Sequence, residues 1–183
     1  MRNLEPLEPL LALSPFAQSI VRSRGNETQS RSPAAPSSVG GNVVIGVGID
    51  LQEISEFHRT LERAGEPYIQ RVFTVAEIAY CRAKPDSSSS FAVRFAAKEA
   101  AVKALGIAGI DGLSWHDFET TTASSGCPYM TLGGVAARHA SEKRVTSLVI
   151  SLTHSKSTAG AIAIAETPCS PIDQNPSLYR QAI

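Results

Sequence analysis

Apolar residues are patterned only in the central part of the chain. Between residues 42 and 166, apolar runs with strand or helix spacing alternate with short polar loops. Residues 1–41 are instead rich in Ser, Pro and Gly, and residues 167–183 hold three prolines and no apolar period. We therefore expect a flexible leader over 1–41, one folded domain over 42–166 and an irregular tail over 167–183.

Strand patterns occur near both ends of this central domain. A nearly continuous β-branched run over 43–49 ends at Asp50, which predicts a buried strand with a carboxylate at its C-terminal end. Two apolar runs, 147–153 and 159–165, surround a loop at 154–158 and predict a hairpin that shares a sheet with the first strand. Two shorter strands are predicted at 118–122 and 129–132, on either side of a turn at 126–128.

Helix patterns fill the rest of the domain. Thr74 followed by Glu77 is a capping box that opens a helix at 75–82. A long helix over 91–105 follows a loop whose last serines can cap it, and Gly106 ends it. Together these elements predict an α+β fold in which an antiparallel-rich sheet packs against a long buried helix. Two further helices are predicted at 53–64 and 134–143.

The long helix is apolar nearly all round, yet it carries charge. A helix of this kind belongs in a core or a subunit interface, where an unpaired charge is costly. Its charged residues therefore need partners or ligands. They are Arg94, Lys98, Glu99 and Lys103.

Two readings of Glu99 are open at this point. In the first, Glu99 and Lys103 form a surface ion pair at i,i+4 spacing, which contributes little to stability. In the second, Glu99 joins Asp50 in an all-oxygen site for Mg²⁺ that water and phosphate oxygens complete, and the basic residues of the helix donate to a polyphosphate. Asp50 can also cap the helix that follows it, a role that is compatible with the second reading.

Composition narrows the range of partners. The 17 Lys and Arg residues balance the 17 Asp and Glu residues, so the chain has no general positive field that attracts nucleic acid. No apolar run approaches the roughly 18 residues that cross a bilayer. We therefore expect a soluble protein that binds neither nucleic acid nor membrane.

The cysteines and the leader indicate where in the cell the protein is located. The three cysteines lie far apart and outside metal-ligand spacing, so we expect reduced thiols and a cytoplasmic protein. Glu5 and Glu8 stand where a secretory signal requires positive charge. Arginines among the serines at 22–31 keep an organellar transit peptide as a second reading of the leader.

Five short blocks occur in the central domain in a fixed order. They are GVGID at 46–50, VFT at 72–74 with Glu77 and Cys81, RFAAKEA at 94–100, GCP at 126–128 and SLTHS at 151–155. Each block alone is a weak signal, but the ordered set spans essentially the whole domain and is specific. The set resembles the holo-[acyl-carrier-protein] synthase group of 4′-phosphopantetheinyl transferases.

The resemblance implies a reaction and a magnesium site. The 4′-phosphopantetheine arm of coenzyme A would pass to a serine of an apo acyl carrier protein, with release of adenosine 3′,5′-bisphosphate. Asp50 and Glu99 match the family's magnesium ligands, and either Glu99 or a metal-associated water is the candidate base for the serine proton. Lys103 matches the position that stabilises the pyrophosphate and the leaving group.

The same resemblance assigns further residues to coenzyme A and implies an assembly. His154 matches a position near the nucleotide end of coenzyme A, although it would be read as a simple loop histidine without its surrounding block. Lys98 and Arg94 are candidates for phosphates or for a subunit contact. The short form of the family is a trimer with active sites between subunits, so we expect a homotrimer.

Two positions depart from the family pattern. An arginine that meets the acidic carrier protein in relatives is replaced by Glu56, so Arg59 and Arg63, about one and two turns further on, become the candidates for that contact. Cys127 stands where a lysine often occurs, which removes one phosphate contact.

Two other functions stay open. A magnesium-dependent hydrolase of nucleotides or phosphate esters would keep the carboxylate pair and use water as the nucleophile. A non-catalytic relative would bind carrier protein or coenzyme A without turnover. Phosphate release without any acceptor is diagnostic of the hydrolase, and the absence of all turnover is diagnostic of the non-catalytic relative.

Overall fold

A computed structural model describes residues 41–169 and shows an α+β fold. Its main sheet is antiparallel with the order β1-β5-β4, so the predicted sharing of one sheet by the first strand and the terminal hairpin is confirmed. A second antiparallel sheet pairs β2 with β3. The strands are β1 (Asn42–Glu53), β2 (Phe118–Thr122), β3 (Pro128–Leu132), β4 (Ser147–His154) and β5 (Thr158–Pro168).

The helices lie on one side of the main sheet, and the long helix α3 packs directly on it. The helices are α1 (Ile54–Val72), α2 (Val75–Arg82), α3 (Ser87–Leu105) and α4 (Gly134–Glu142), with a short 3-10 turn (Trp115–Asp117) between α3 and β2. The bounds of α2 and β2 agree with the prediction. None of the helices in the described range has the length and apolar character needed to cross a bilayer.

Helix α1 is longer than predicted. The expected helix at 53–64 covers only its first part, which ends at Gly65 with φ 67° and ψ −164°. The helix resumes with Pro67 near the start of its second part, where the missing N–H has little cost. The prediction stopped early because glycine and proline in close succession usually end a helix.

Helix α3 begins at Ser87 rather than at residue 91. Asp86 caps it, because the Asp86 side chain accepts a hydrogen bond of 3.0 Å from Ser89 N. The serines that were expected to cap the helix therefore form its first turn. The predicted end is confirmed, since Gly106 adopts the left-handed conformation with φ 63° and ψ 43°.

Strand β1 and helix α3 approach each other at a distance that only glycine permits. A Cβ atom on Gly46 would lie 1.9 Å from the carbonyl oxygen of Ala104, and one on Gly48 would lie 1.9 Å from the carbonyl oxygen of Ala100. Small residues on both elements thus bring the two backbones into contact. This contact fixes the position of Asp50, two residues beyond Gly48, against the helix.

The predicted tail begins two residues too early. Thr167 pairs with Val43 and Pro168 pairs with Asn42, so β5 continues beyond residue 166. Proline content predicted the tail, but the ladder to β1 extends through both residues. The predicted leader up to residue 40 and the tail from residue 170 lie outside the described residues and stay predictions.

Candidate active site

Asp50 is held between two donors near the end of β1. It is 3% exposed, and Lys103 Nζ donates to Asp50 Oδ1 at 2.8 Å and to the carbonyl oxygen of Ile49 at 2.9 Å. Gln52 Nε2 donates to Asp50 Oδ2 at 2.6 Å. The carboxylate is therefore fixed in orientation, and Lys103 balances its charge. The expectation that Asp50 also caps the following helix is wrong, because the N-cap of α1 is Glu53.

Glu99 faces the same cluster from α3. It is 3% exposed, and its Oε2 atom has no hydrogen-bond partner among residues 41–169. Burial, and to a lesser extent the charge on Asp50, raises the pKa of Glu99 to about 7, while Lys103 opposes that rise. The surface ion-pair reading of Glu99 and Lys103 is therefore wrong, because Lys103 bonds to Asp50 and Glu99 is a buried acid without a partner.

Lys98 does not belong to this cluster, and the prediction that it contacts a phosphate is wrong. Its side chain is fully buried, and Nζ bonds to Glu77 Oε2 at 2.8 Å, to the carbonyl oxygen of Trp115 at 2.9 Å and to that of Phe118. An ammonium group has three N–H donors, so none is left for a ligand. Glu77 is satisfied as well, because it also accepts from Thr120 N at 3.0 Å and from the backbone of its capping box. The pair ties α2 and α3 to the start of β2.

Arg94 lies on the side of α3 that faces helix α2. It is 4% exposed, and its guanidinium carbon lies 3.9 Å from the centre of the Tyr80 ring. The Nε atom has no hydrogen-bond partner, and no carboxylate of residues 41–169 forms an ion pair with Arg94. Arg94 takes part in side-chain hydrogen bonds with Tyr80 and Cys81, neither of which is a carboxylate, so its buried charge has no acidic partner among the described residues.

His154 is exposed at the end of β4 and does not contact Asp50, Glu99 or Lys103. The register of the sheet places it across β5 from Gln52, which puts the two Cα atoms about 10 Å apart. It lies close enough to the start of α3 for its charge to act on Asp86. Hydrogen bonds from Ser89 are the main cause of the lowered pKa of Asp86, and His154 adds a smaller contribution.

The residues predicted to meet a carrier protein lie on the outer side of α1. Arg59 and Arg63 are exposed, and Arg59 forms a loose ion pair with Glu56, with 3.7 Å between Nη2 and Oε1. This surface is therefore of mixed charge. Cys127 is exposed in the turn between β2 and β3.

Gln52 and Tyr80 are part of this arrangement but were not predicted from the sequence. Gln52 was missed because the predicted strand ended at Asp50, whereas β1 continues to Glu53 and so places Gln52 on the same face as Asp50. Tyr80 could not be predicted, because its contact with Arg94 joins two helices and no local pattern signals it.

The family follows from comparison with known proteins. Residues 46–162 match the model of the 4′-phosphopantetheinyl transferase superfamily. The chain belongs to this superfamily. The resemblance that the five sequence blocks indicated is thereby confirmed, and the α+β fold of the chain is the fold of solved members of the family.

Individual members of the superfamily match the folded part of the chain nearly end to end. The chain is 40% identical over 124 residues to the holo-[acyl-carrier-protein] synthase of Solibacter usitatus, which covers 68% of this chain and 99% of that protein. It is 42% identical over 124 residues to the holo-[acyl-carrier-protein] synthase of Moorella thermoacetica, and the match covers 68% of this chain and 95% of that protein. The solved structure of Helicobacter pylori holo-[acyl-carrier-protein] synthase in complex with coenzyme A is 28% identical in sequence, with a TM-score of 0.58. The match covers 65% of this chain and 98% of that structure.

Proposed function

We propose that the protein is a holo-[acyl-carrier-protein] synthase, which transfers 4′-phosphopantetheine from coenzyme A to a serine of an apo acyl carrier protein. The observation that carries this proposal is the buried cluster of Asp50, Glu99 and Lys103 in a chain whose relatives bear that name. The activity belongs to the central domain, since residues 46–162 carry the family match.

The carboxylates of the cluster fit a magnesium ion. Glu99 Oε2 is buried without a partner, and a hard oxygen anion in that state is a suitable ligand for a divalent cation. Asp50 and Glu99 would hold the ion, and the protein offers no third acidic ligand, because no group of three or more such side chains occurs within the described range. Bound magnesium would supply charge neutralisation on the diphosphate of coenzyme A.

The residues of the cluster suit the transfer itself. The serine oxygen forms a bond to the β-phosphorus, the bond from that phosphorus to the bridging oxygen breaks, and adenosine 3′,5′-bisphosphate leaves with the electron pair. Lys103 uses two N–H groups on Asp50 and Ile49, so a third is available to a phosphate oxygen. Glu99, with a pKa raised to about 7 by burial and Asp50, or a water beside it, takes the serine proton.

Arg94 is the second phosphate ligand in this proposal. The cation is almost fully buried and lacks a carboxylate among the described residues, so an incoming phosphate would supply the missing counter-charge. His154 is exposed and does not contact the cluster of its own subunit. We assign it to the nucleotide end of coenzyme A, as the family resemblance implies.

The outer face of the main sheet supports a homotrimer. Helix α3 covers one face, while the opposite face presents Val47, Ile49 and Leu51 of β1, which are 57%, 56% and 62% exposed. The register continues this surface across the sheet, because Val47 lies beside Ile164, and Ile164 lies beside Val149. An exposed apolar face of this kind marks a contact surface. We propose that three subunits bury these faces together in a homotrimer, as the family resemblance implies.

The carrier protein would approach the exposed side of α1. Arg59 and Arg63 project from that surface and would speed encounter with an acidic partner. Glu56 weakens the positive field there, which makes the encounter depend on salt less steeply than a purely basic surface would.

One experiment tests the proposed function. The full chain is mixed with coenzyme A, Mg²⁺ and an apo acyl carrier protein, and the carrier is weighed by mass spectrometry. Addition of one phosphopantetheine to the carrier is expected. Release of phosphate or nucleotide from coenzyme A without a carrier would indicate a hydrolase, and binding of coenzyme A without any product would indicate a non-catalytic relative.

A further inference from the structure

The two carboxylate oxygens of Asp50 have donors of different charge. Oδ1 accepts a hydrogen bond from the Lys103 ammonium at 2.8 Å, and Oδ2 accepts one from the Gln52 amide at 2.6 Å. Lys103 also donates to the carbonyl oxygen of Ile49 at 2.9 Å, which keeps its charge beside Oδ1. Because the Asp50 side chain is only 1% exposed, these two donors rather than bulk water determine its orientation.

This difference determines which oxygen of Asp50 can meet a divalent cation. An ammonium group repels a second cation at short range, and the repulsion is stronger at a buried position than in water. An amide carries no net charge. Each carboxylate oxygen has two lone pairs, so the bond from Gln52 leaves one of them on Oδ2. Electrostatics therefore favour Oδ2 over Oδ1 as the oxygen that binds an ion.

Strand β1 holds Gln52 beside Asp50. The ladder to β5 pairs Asp50 with Ala161 and Gln52 with Ala159, and it continues to Glu53. Residues at i and i+2 of a strand share a face. Both alanines are buried and small, so the Gln52 side chain has room to extend along the strand towards the Asp50 carboxylate.

An amide is well suited to orient a carboxylate that binds a metal ion. A second lysine at this position would add positive charge and repel the ion, and a second acid would repel Asp50. The amide N–H holds the carboxylate without changing the net charge of the cluster. Carboxylates that bind metal ions are regularly oriented by such hydrogen bonds from residues that are not ligands themselves.

We propose that Gln52 is a positioning residue, whose amide holds Oδ2 of Asp50 in the orientation in which that oxygen binds the magnesium ion. The inference rests on the proposed function, because it takes Asp50 as a magnesium ligand. It goes beyond that function by assigning Oδ2 to the ion and by making metal affinity depend on Gln52. Gln52 touches neither the ion nor the donor.

The first test measures metal binding in the full chain, without coenzyme A or carrier protein. Gln52→Met keeps the length of the side chain and removes the amide donor. Mn²⁺ is the probe, since it prefers the same oxygen ligands as Mg²⁺ and its free form is counted by electron paramagnetic resonance. We expect Gln52→Met to raise the Kd for Mn²⁺ about 10- to 100-fold.

Gln70→Met is the matched control for this measurement. The Gln70 amide also donates to a carboxylate, Glu66 Oε1 at 3.1 Å, but the pair lies on the exposed surface of α1. The same chemical change there should leave the Kd for Mn²⁺ unchanged. A rise of equal size in both variants would overturn the inference, because the effect would not come from the bond to Asp50.

The second test separates positioning from a structural role. Mg²⁺ is titrated into the transfer assay with coenzyme A and the apo carrier protein. We expect Gln52→Met to need about 10- to 100-fold more Mg²⁺ for its half-maximal rate. At saturating Mg²⁺ its kcat should stay within about three-fold of wild type. Asp50→Ala should not recover with excess Mg²⁺, since that change removes the ligand itself.

Gln52→Ser keeps the inference testable if the methionine variant folds poorly. Serine is small and polar, and it is too short to reach Oδ2 of Asp50. An unchanged Kd for Mn²⁺ in either folded variant overturns the inference, and so does a lower kcat with an unchanged Mg²⁺ requirement. Absence of transfer by the wild type would contradict the proposed function separately, because Mn²⁺ binding is measured without either substrate.

Discussion

Lys103 Nζ lies 2.8 Å from Asp50 Oδ1, although the two residues are 53 positions apart in the sequence. The pairing decides the character of the site. Because Lys103 bonds to Asp50, the second acid of the cluster, Glu99, is left buried with no hydrogen-bond partner at Oε2. A protein that needed only stability would pair both acids or replace one of them. The arrangement supports the proposed site for a cation and a phosphate.

Loss of the Lys103 ammonium should affect turnover more than folding. We expect Lys103→Met to lower kcat for phosphopantetheine transfer about 10²- to 10³-fold, the usual effect of removing one donor from a developing charge. The variant should be less stable but still folded, because Asp50 loses its ion pair and keeps the hydrogen bond from Gln52. Mass spectrometry of the carrier gives the rate, and circular dichroism gives the fold. Loss of most of the folded protein, with a near wild-type rate in the fraction that stays folded, would mean that the Lys103–Asp50 pair is structural.

Loss of the Lys98 ammonium, on the same helix, should affect folding more than turnover. Replacing it with methionine leaves Glu77 as an unpaired buried carboxylate, which costs about 3–5 kcal/mol in the free energy of unfolding. We therefore expect Lys98→Met to unfold at a much lower urea concentration than Lys103→Met. The double variant Lys98→Met with Glu77→Gln should recover part of the loss, since it removes the uncompensated charge. A Lys98→Met variant as stable as the wild type would show that the buried pair contributes nothing.

The sequence predicted only part of this difference between the roles of Lys98 and Lys103. The capping box of Thr74 and Glu77 predicts α2 correctly because its signal is local, and Gly106 marks the end of α3 for the same reason. The local pattern also places Lys98 and Glu99 on one helix, but adjacent residues of a helix point about 100° apart. Which of them meets Glu77 and which meets Asp50 depends on how α3 packs between α2 and β1. That packing is tertiary, so the sequence predicted that Lys98 needs a partner but could not identify Glu77 as that partner.

Glu99 should make the stability of the metal-free protein depend on pH. Its pKa is raised by burial and by Asp50 from 4.5 to about 7 in the folded chain, so the folded state binds a proton more tightly than the unfolded state. Stability from this group is complete below about pH 4.5 and falls as pH rises towards 7, by roughly 3 kcal/mol at most. Urea unfolding in the presence of a chelator, at a series of pH values, measures the loss.

Glu99→Gln isolates that effect from other titrating groups. The amide does not ionise, so the difference between wild type and variant should be small at pH 5 and largest above pH 7, where the variant is the more stable. Addition of Mg²⁺ at pH 8 should stabilise the wild type and not the variant. A constant difference across the whole pH range would show that Glu99 does not titrate between the two states.

The contact between β1 and α3 should not tolerate a methyl group at Gly48. A Cβ atom there would lie 1.9 Å from the Ala100 carbonyl oxygen and 2.7 Å from Ala104 N, so strand and helix must separate. We expect Gly48→Ala to reduce the free energy of unfolding by about 3 kcal/mol or more. Gly41→Ala is the control, because nothing lies within 4 Å of its added Cβ. Comparable stability of the two variants would mean that the contact is not close in solution.

The apolar outer face of the sheet predicts how the assembly can be broken. Val47 lies on that face in the middle of β1, beside Ile164 of the central strand β5, and in the proposed trimer a charge at this position would be buried between subunits. We expect Val47→Glu to convert a trimer to a monomer in light scattering and to lower transfer activity, while the fold of each subunit is kept. Val75→Glu is the matched control, because Val75 is 86% exposed on α2 and lies away from the sheet. It should leave the trimer intact. A trimer that survives Val47→Glu would place the subunit contact on another surface. A wild-type protein that is monomeric would contradict the proposed trimer. The proposed chemistry of Asp50 and Glu99 has its own test and would not be affected.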